Sequence, residues 1–330
     1  AQPALGGRGG MADAQAAVRV ATPTARRTPR TFELDPLSSL EVLQLLTDED
    51  ARVAPAVRAA LPQLAQAVDA AVERYQAGGI IHDCGAGTSG RISTLDAAEL
   101  PPTFSADPAR TVAHHAGGAF AISRAAENVE DDPAGGREAA ADLTEADVAV
   151  GVAASGRTPF VVGALQAAAE AGAYTVLVSS APQGPAVDVV DTYVFVDTGP
   201  EAIAGSTRLK AGTAQKLVLN GFSTALMIRL GKTYSNLMVD VTRHNAKLRG
   251  RVLVILEEAT GASEAECRRA LDEAEGDTKT AIVAILAGTD ATTARVALEA
   301  ADRRVREALA ALGASPDPPR PTDAEVPMEQ

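Results

Sequence analysis

The feature that most constrains this chain is an alternation of short apolar runs with helical stretches between residues 80 and 230. Apolar runs bounded by glycine or polar residues predict strands at residues 80–84, 111–115, 148–153, 175–179 and 193–196. Apolar residues recurring every three or four positions predict helices near residues 89–99, 119–129, 159–171 and 211–230. Strands separated by helices are typical of a parallel sheet covered on both faces, so we predict a three-layer α/β/α domain.

The flanking sequence predicts further segments. Periodic apolar residues between Ser38 and Gln76 predict two helices, and the pattern is helical again after Asn245. The first 31 residues carry five arginines against one acid, among glycines, prolines and threonines, which is typical of a mobile arm. We therefore divide the chain into a flexible arm (1–31), N-terminal helices packing on the core (32–78), the α/β domain (79–249), a small helical C-terminal domain (250–314) and a disordered tail (315–330).

Composition excludes several classes of function. A net charge of −13 with 3% aromatic residues and no Trp disfavours nucleic-acid binding, since both a basic face and stacking platforms are lacking. Cys84 and Cys267 are too far apart in sequence to suggest a zinc site or a disulfide framework, and we expect neither metal nor cofactor. No apolar run reaches the length of a membrane span. We expect a soluble, cytoplasmic protein without a membrane or nucleic-acid partner.

Two strand-to-helix turns predict a phosphate site. The first, Gly85 to Arg91, matches the pattern G-x-G-x-x-G, but the second strand ends in His114-His115-Ala116, without the acidic residue that a nicotinamide cofactor needs. The tripeptide Ser-Gly-Arg then recurs at residues 155–157, again between a strand and a helix. Amides at helix starts and nearby hydroxyls suit a phosphate monoester, although ordinary capped helices remain the alternative. The predicted ligands are Gly87, Thr88, Ser89, Arg91, Ser155, Gly156, Arg157 and Thr158.

Three further groups are candidates. Ser206 and Lys210 lie in a polar cluster that opens the helix near 211–230, where a solvated helix face explains the lysines nearly as well. Glu99 stands near the end of the helix after the first loop, where a carboxylate opposes the helix dipole. Glu127 and Glu130 belong to an acidic run of a kind that is usually solvated. Histidines 114, 115 and 244 and Cys84 read most simply as structural residues.

Six segments resemble the motifs of the N-acetylmuramic acid 6-phosphate etherases, in order over roughly residues 32–287: residues 85–91, 96–103, 127–132, 154–159, 199–220 and 236–248. The resemblance implies a single domain of the sugar isomerase (SIS) fold, a sugar-phosphate substrate, a homodimer and no cofactor. It further implies that the lactyl ether of N-acetylmuramate 6-phosphate is cleaved to N-acetylglucosamine 6-phosphate and D-lactate in peptidoglycan recycling. Glu99 would then be the acid and Glu130 the second catalytic group, acting as base, with Glu127 its nearest rival.

The chain also departs from that family's pattern. The motif Thr-Glu-x-x-Asn-Pro is reduced to Thr24-Ala25-Arg26-Arg27-Thr28-Pro29, and Ala119 stands where an acidic residue is common. A noncatalytic sugar-phosphate sensor of the glucokinase-regulator kind and an aldose-ketose phosphosugar isomerase are the alternative functions. For the dimer, the helix near 211–230 offers Leu217, Leu219, Phe222 and Met227 as a docking face, unless that helix packs on its own sheet.

Overall fold

The computed structural model describes residues 22–124, 126, 128–240 and 246–319. Its centre is a parallel sheet of five strands in the order β2-β1-β3-β4-β5. The strands are β1 (Ile81–Gly85), β2 (Thr111–His115), β3 (Val148–Val152), β4 (Tyr174–Ser179) and β5 (Thr192–Phe195). All five strands predicted from the sequence are confirmed, each to within one residue.

Helices cover the sheet and continue beyond it. Those before and between the strands are α1 (Ser39–Asp50), α2 (Val53–Ala59), α3 (Leu61–Gln76), α4 (Gly87–Phe104), α5 (Gly118–Ser123), α6 (Pro133–Ala139) and α7 (Pro159–Glu170). After β5 come α8 (Lys210–Arg229), the antiparallel hairpin β6 (Thr233–Tyr234) and β7 (Leu237–Met238), and then α9 (Ala246–Thr260), α10 (Glu264–Glu273), α11 (Thr278–Ala287), α12 (Ala291–Ala300) and α13 (Val305–Ala311).

Both faces of the sheet are buried because successive side chains of each strand point to opposite sides. On β3, Val148, Val150 and Val152 pack in one core with α2, α3, α4 and α8, whereas Ala149 packs in a second core with α7. This confirms the predicted three-layer α/β/α arrangement. It also explains why the strands read as continuous apolar runs without polar alternation.

A third core joins the helices α9–α13, and this helical C-terminal part was expected. Tyr234 and Val239 belong to the same core, so the hairpin packs with the helical part although the sequence boundary placed it in the α/β domain. The carbonyl of Pro316 accepts hydrogen bonds from the Tyr234 hydroxyl (3.3 Å) and from Arg306 Nη1 (3.2 Å). The start of the predicted tail therefore packs on this core, and residues 320–330 lie outside the described residues.

Two helix predictions were wrong in detail. The two helices predicted between residues 38 and 76 are three, with breaks before Val53 and at Ala60; Pro55 and Pro62, which lack an N–H donor, lie in the first turns of the new helices. The helix predicted near 119–129 ends at Ser123, because Arg124 is extended.

The predicted arm is shorter than expected. Residues 1–21 lie outside the described residues, but residues 23–25 and 29–31 form two 3₁₀ turns in which Thr24 and Thr31 are buried. The Thr31 hydroxyl donates to the carbonyl of Ala202 at 2.8 Å. The prediction of a mobile arm was therefore wrong for residues 22–31, because contacts distant in sequence hold this segment.

The docking face predicted on α8 was also wrong. Leu219, Phe222 and Met227 are buried in the core of their own chain, and of the four residues only Leu217 is substantially exposed. The helix thus packs on its own sheet.

In the part of the chain that the structure describes, no single helix is long and apolar enough to cross a membrane, and only the bent pair Thr278–Ala287 and Ala291–Ala300 has the length and composition together.

Candidate active site at the carboxyl ends of the strands

A cleft of about 560 Å³ opens just beyond the ends of β1 and β3. In an open parallel sheet this is where strand-to-helix loops converge and where ligands bind. Its wall contains the starts of α4 and α7, the loop before α8, and a short piece of the N-terminal segment. The lining residues are Thr22, Thr24, Ala25, Ala86, Gly87, Thr88, Ser89, Glu130, Asp131, Ala154, Ser155, Arg157, Thr158, Pro159, Gly205 and Thr207.

The first loop presents backbone donors to the cleft. Helix α4 begins at Gly87 without a side-chain cap, and Gly90 N, bonded to Ala86 O at 3.2 Å, is the first amide with a helical acceptor. The amides of Gly87, Thr88 and Ser89 precede it and have no acceptor within the helix. Together with the helix dipole, these donors form a site suited to an anion.

Glycine is required where this loop meets the sheet. A Cβ at Gly90 would lie 2.6 Å from the carbonyl oxygen of Gly85 and 2.6 Å from His115 Cδ2. The His115 ring contacts the loop, with Nδ1 2.7 Å from the carbonyl oxygen of Ala116 and Nε2 3.3 Å from the carbonyl oxygen of Gly87. The absence of a side chain at residue 90 therefore lets the start of α4 approach β1 closely.

The second loop presents hydroxyls. Thr158 precedes α7 without capping it, and the amide of Arg157 donates to Ser155 Oγ at 3.2 Å. Because Ser155 Oγ accepts that bond, its own O–H remains able to donate to a ligand. Ser155 and Thr158 are half-buried at the cleft, while Arg157 is exposed and can approach a bound anion from solvent.

Glu130 is attached to the second loop through its backbone. Its carbonyl accepts a 3.1 Å hydrogen bond from the amide of Phe160 in the first turn of α7. The residue is exposed and lines the cleft beside Asp131. Glu127, its rival from the sequence, lies outside the described residues. The cleft thus combines phosphate-type donors with a carboxylate able to exchange protons.

The third polar cluster has a structural centre. Glu201 is fully buried and accepts from the amides of Lys210 (3.0 Å) and Ala211 (2.9 Å), so it caps the start of α8. Burial raises the pKa of Glu201. The Lys210 ammonium is also buried and lies 2.6 Å from Glu49 Oε2. Lys210 therefore connects α8 to α1, and the structure does not bring it to the cleft as the sequence predicted.

Four other predicted site residues lie apart from the lining. Arg91 donates to the carbonyls of Ala121 (2.9 Å) and Ile122 (2.8 Å), which closes the end of α5. Gly156, at φ +62°, shapes the second loop through its backbone. Ser206 neighbours the lining residues Gly205 and Thr207 without lining the cleft, and its amide donates to Ile203 O at 2.9 Å. The fourth is Glu99.

Glu99 is exposed on the far part of α4. It lies twelve residues after Gly87, which is about 18 Å along the helix axis at 1.5 Å per residue. Leu95, one turn earlier on the same face, is 54% exposed. Within one chain, Glu99 therefore does not line the cleft that Glu130 lines.

Sequence reasoning missed several lining residues. Gly205 and Thr207 belong to the polar cluster that it identified, and Asp131 belongs to the same acidic run as Glu130, but none of the three was named as a site residue. Thr22 and Thr24 were assigned to the mobile arm; the partial motif at residues 24–29 was the one feature that could have pointed to them.

The buried titratable groups of β1 read as structural. Burial raises the pKa of Cys84 to about 12, so the thiol remains protonated and unreactive. His82 stacks on His114, with Nδ1 and Nε2 2.9 Å apart, and burial lowers the pKa of His82 to about 4. Asp83 is fully buried, and this raises its pKa well above the ordinary value. His244 lies outside the described residues.

Comparison with known proteins gives the family. Residues 63–169 match the family model of the glucokinase regulatory protein N-terminal SIS domain. An N-acetylmuramic acid 6-phosphate etherase from Thermobifida fusca is 56% identical over 267 residues, which are 81% of this chain and 88% of the relative. One from Cutibacterium acnes is 51% identical over 288 residues, which are 87% of this chain and 95% of the relative. A solved phosphoheptose isomerase from Francisella tularensis aligns with 58% of this chain and 100% of its own, at 20% identity and a TM-score of 0.49.

The similarity to the etherases extends over most of both chains. It confirms the resemblance inferred from the motifs. The chain belongs to the N-acetylmuramic acid 6-phosphate etherase family.

Proposed function

We propose that this protein cleaves the lactyl ether of N-acetylmuramate 6-phosphate by elimination followed by addition of water, giving N-acetylglucosamine 6-phosphate and D-lactate. The observation that carries the proposal is one cleft in which the start of α4, the hydroxyls before α7 and the Glu130 carboxylate converge. Membership of the etherase family supports the choice of substrate. A sugar phosphate is charged and stays in the compartment where it is made, which favours a cytoplasmic enzyme.

The two loops hold the phosphate in this proposal. The amides of Thr88 and Ser89 and the hydroxyls of Ser155 and Thr158 are donors, and a dianionic phosphate offers only acceptors. Arg157 adds a positive charge at the open side of the cleft. The loops fix the C6 end of the sugar and thereby orient C2 and C3 for the reaction.

The reaction needs one base and one acid. In the open-chain aldehyde the carbonyl acidifies the C2 proton, which Glu130 removes. The C3–O bond then breaks, and the lactate oxygen takes a proton from an acid as it departs, leaving a double bond between C2 and C3. Water adds its oxygen to C3 while a proton returns to C2, so that atoms and charges balance. Two carboxyl groups suffice for these proton transfers.

We further propose that the acid is Glu99 of a second copy of the chain. The distance of about 18 Å along α4 exceeds the reach of a hexose 6-phosphate from its phosphorus atom to C3. The face of α4 that carries Glu99 also carries exposed Leu95, and neighbouring α5 exposes Phe120 (58%) and Ile122 (36%). An exposed apolar face beside the carboxyl is what a homodimer interface requires.

An isotope experiment tests the reaction. The protein is incubated with N-acetylmuramate 6-phosphate in ¹⁸O-labelled water, and both products are analysed by mass spectrometry. The proposal predicts unlabelled D-lactate and ¹⁸O at C3 of the aminosugar phosphate. Glu130→Gln should release no lactate, while Glu138→Gln, an exposed glutamate on α6, should behave as wild type. Absence of lactate from the wild type, as a sensor or an isomerase would give, refutes the function, and ¹⁸O in lactate refutes the elimination.

A further inference from the structure

Residues 22–31, here called the N-terminal wall, form one side of the cleft. Thr22, Thr24 and Ala25 line it, and the hydroxyls of Thr22 and Thr24 lie 3.1 Å apart. The wall comes before every predicted catalytic or phosphate-binding residue in sequence. Only its contacts with later segments of the chain can therefore hold it at the cleft.

Backbone hydrogen bonds join the wall to the loop before α8. The carbonyl of Thr24 accepts from the amide of Gly205 at 2.9 Å, and the Thr31 hydroxyl donates to Ala202 O at 2.8 Å. Gly205 lines the same cleft. The wall and this loop thus form one continuous surface of the cleft.

A buried ion cluster fixes that surface from behind. Glu49 of α1 is 3% exposed, and its Oε2 lies 2.6 Å from Lys210 Nζ and 3.1 Å from Arg30 Nη2. Arg30 belongs to the wall and Lys210 to the first turn of α8. Arg52 Nε approaches Glu49 at 3.6 Å from the turn between α1 and α2. One carboxylate therefore connects three separate segments, two of which adjoin the cleft.

Burying charges is costly unless they are well paired, and an apolar group of similar volume is often as stable. Two features indicate a positioning role here. The cluster lies where two cleft-forming segments meet, and its bidentate contact with Arg30 fixes direction as well as distance.

We propose that Glu49 is a positioning residue for substrate binding, which holds the N-terminal wall through Arg30 and the start of α8 through Lys210 so that the cleft fits its sugar phosphate. The inference rests on the proposed function, because it requires that the cleft bind substrate. Glu49 and Arg30 touch no reacting atom. Loss of the link therefore weakens binding and leaves the chemical step nearly unchanged.

The test compares two arginines on the same carboxylate. Arg30→Met removes the link to the wall, and Arg52→Met removes a partner that lies in the turn between α1 and α2, outside the wall. Both side chains are about half exposed, so both variants should fold, which thermal melting verifies. The proposal predicts that KM for N-acetylmuramate 6-phosphate rises about tenfold in Arg30→Met with kcat within about twofold. Arg52→Met should have the KM and kcat of the wild type. Arg30→Lys should have a KM between those of the wild type and Arg30→Met.

A second measurement follows the wall directly. Arg26 and Arg27 are exposed in it, so trypsin cleavage there should be faster in Arg30→Met than in the wild type or Arg52→Met. Equal KM values and equal cleavage rates in the two methionine variants would overturn the positioning role. A wild-type protein that releases no lactate would instead refute the proposed function, so the two failures are distinguishable.

Discussion

At the scale of single residues, the cleft is built from donors whose other bonds are already made. Ser155 Oγ accepts from the Arg157 amide, and this leaves one hydroxyl proton for a ligand. The amides of Thr88 and Ser89 come before the first helical hydrogen bond of α4. Such groups bind an anion with little reorganisation, because the protein already fixes their directions.

We predict that Ser155→Ala weakens phosphate binding. A hydrogen bond to a charged group contributes about 1.5–3 kcal/mol, so KM for the sugar phosphate should rise about tenfold or more. The inhibition constant of inorganic phosphate should rise by a similar factor, because the same oxygen atoms are bound. Steady-state kinetics with and without phosphate measures both. A rise in KM with unchanged phosphate inhibition would show that Ser155 does not bind the phosphate. The control is Thr292→Ala, at an exposed position on α12.

Sequence reasoning placed these loops between a strand and a helix, as the structure has them, but did not reveal the buried pairing of Lys210, for a physical reason. Ser155 and Thr158 are recognised locally, since a strand, a Gly-hydroxyl turn and a helix start are contiguous in sequence. Lys210 also opens a helix in a polar cluster, but its partner Glu49 is 161 residues away. A single sequence contains nothing that links those two positions.

At the scale of elements, the fit between α4 and β1 sets the shape of the first loop. Gly90 lies so close to Gly85 that any Cβ would overlap its carbonyl. The strands were predictable because burial on both faces leaves an apolar run. The breaks between α1, α2 and α3 were harder to predict. A helix tolerates proline in its first turn, so a proline within a periodic apolar pattern does not by itself show that a new helix begins there.

We predict that Gly90→Ala displaces the start of α4 and removes most activity. Its Cβ would meet Gly85 O and His115 Cδ2 at 2.6 Å, and overpacking of this kind costs about 1–3 kcal/mol. Gly221→Ala on α8 is the matched control, since its nearest neighbour is a Leu64 methyl at 3.7 Å and alanine favours a helix. The melting temperature and the rate of lactate release should fall in Gly90→Ala and stay unchanged in Gly221→Ala. Equal effects at the two positions would contradict the close packing assigned to the loop.

At the scale of the whole molecule, long-range ion pairs join segments that the sequence keeps apart. The hydrogen bond with Arg30 is the chief cause that holds the pKa of Glu49 at about 2, and Lys210 adds to it. The wall was misread as a mobile arm because its Arg and Thr side chains find partners only in the fold, such as Ala202, 171 residues from Thr31. Local composition could not reveal those contacts.

We predict that the contribution of Glu49 to stability depends on pH. Because its pKa is lower in the folded protein, the stabilisation is complete above the ordinary value of 4.5 and is lost as pH falls through about 2. Glu49→Gln should therefore lower Tm at pH 7, by an amount equivalent to about 3 kcal/mol, and the difference from wild type should shrink as pH approaches 2. Melting curves from pH 7 to 2.5 measure this, with exposed Glu73→Gln as control. A constant Tm difference across the range would contradict the lowered pKa.

In the proposed dimer, the loops and Glu130 of one chain act on the substrate together with Glu99 of a second chain, and subunit mixing can detect this arrangement. Glu99→Gln and Glu130→Gln, each inactive alone, are mixed under conditions in which differently tagged subunits are shown to exchange. Each mixed dimer would contain one site with both glutamates intact, so lactate release should recover to about a quarter of the wild-type rate. No recovery despite verified exchange would contradict a shared active site.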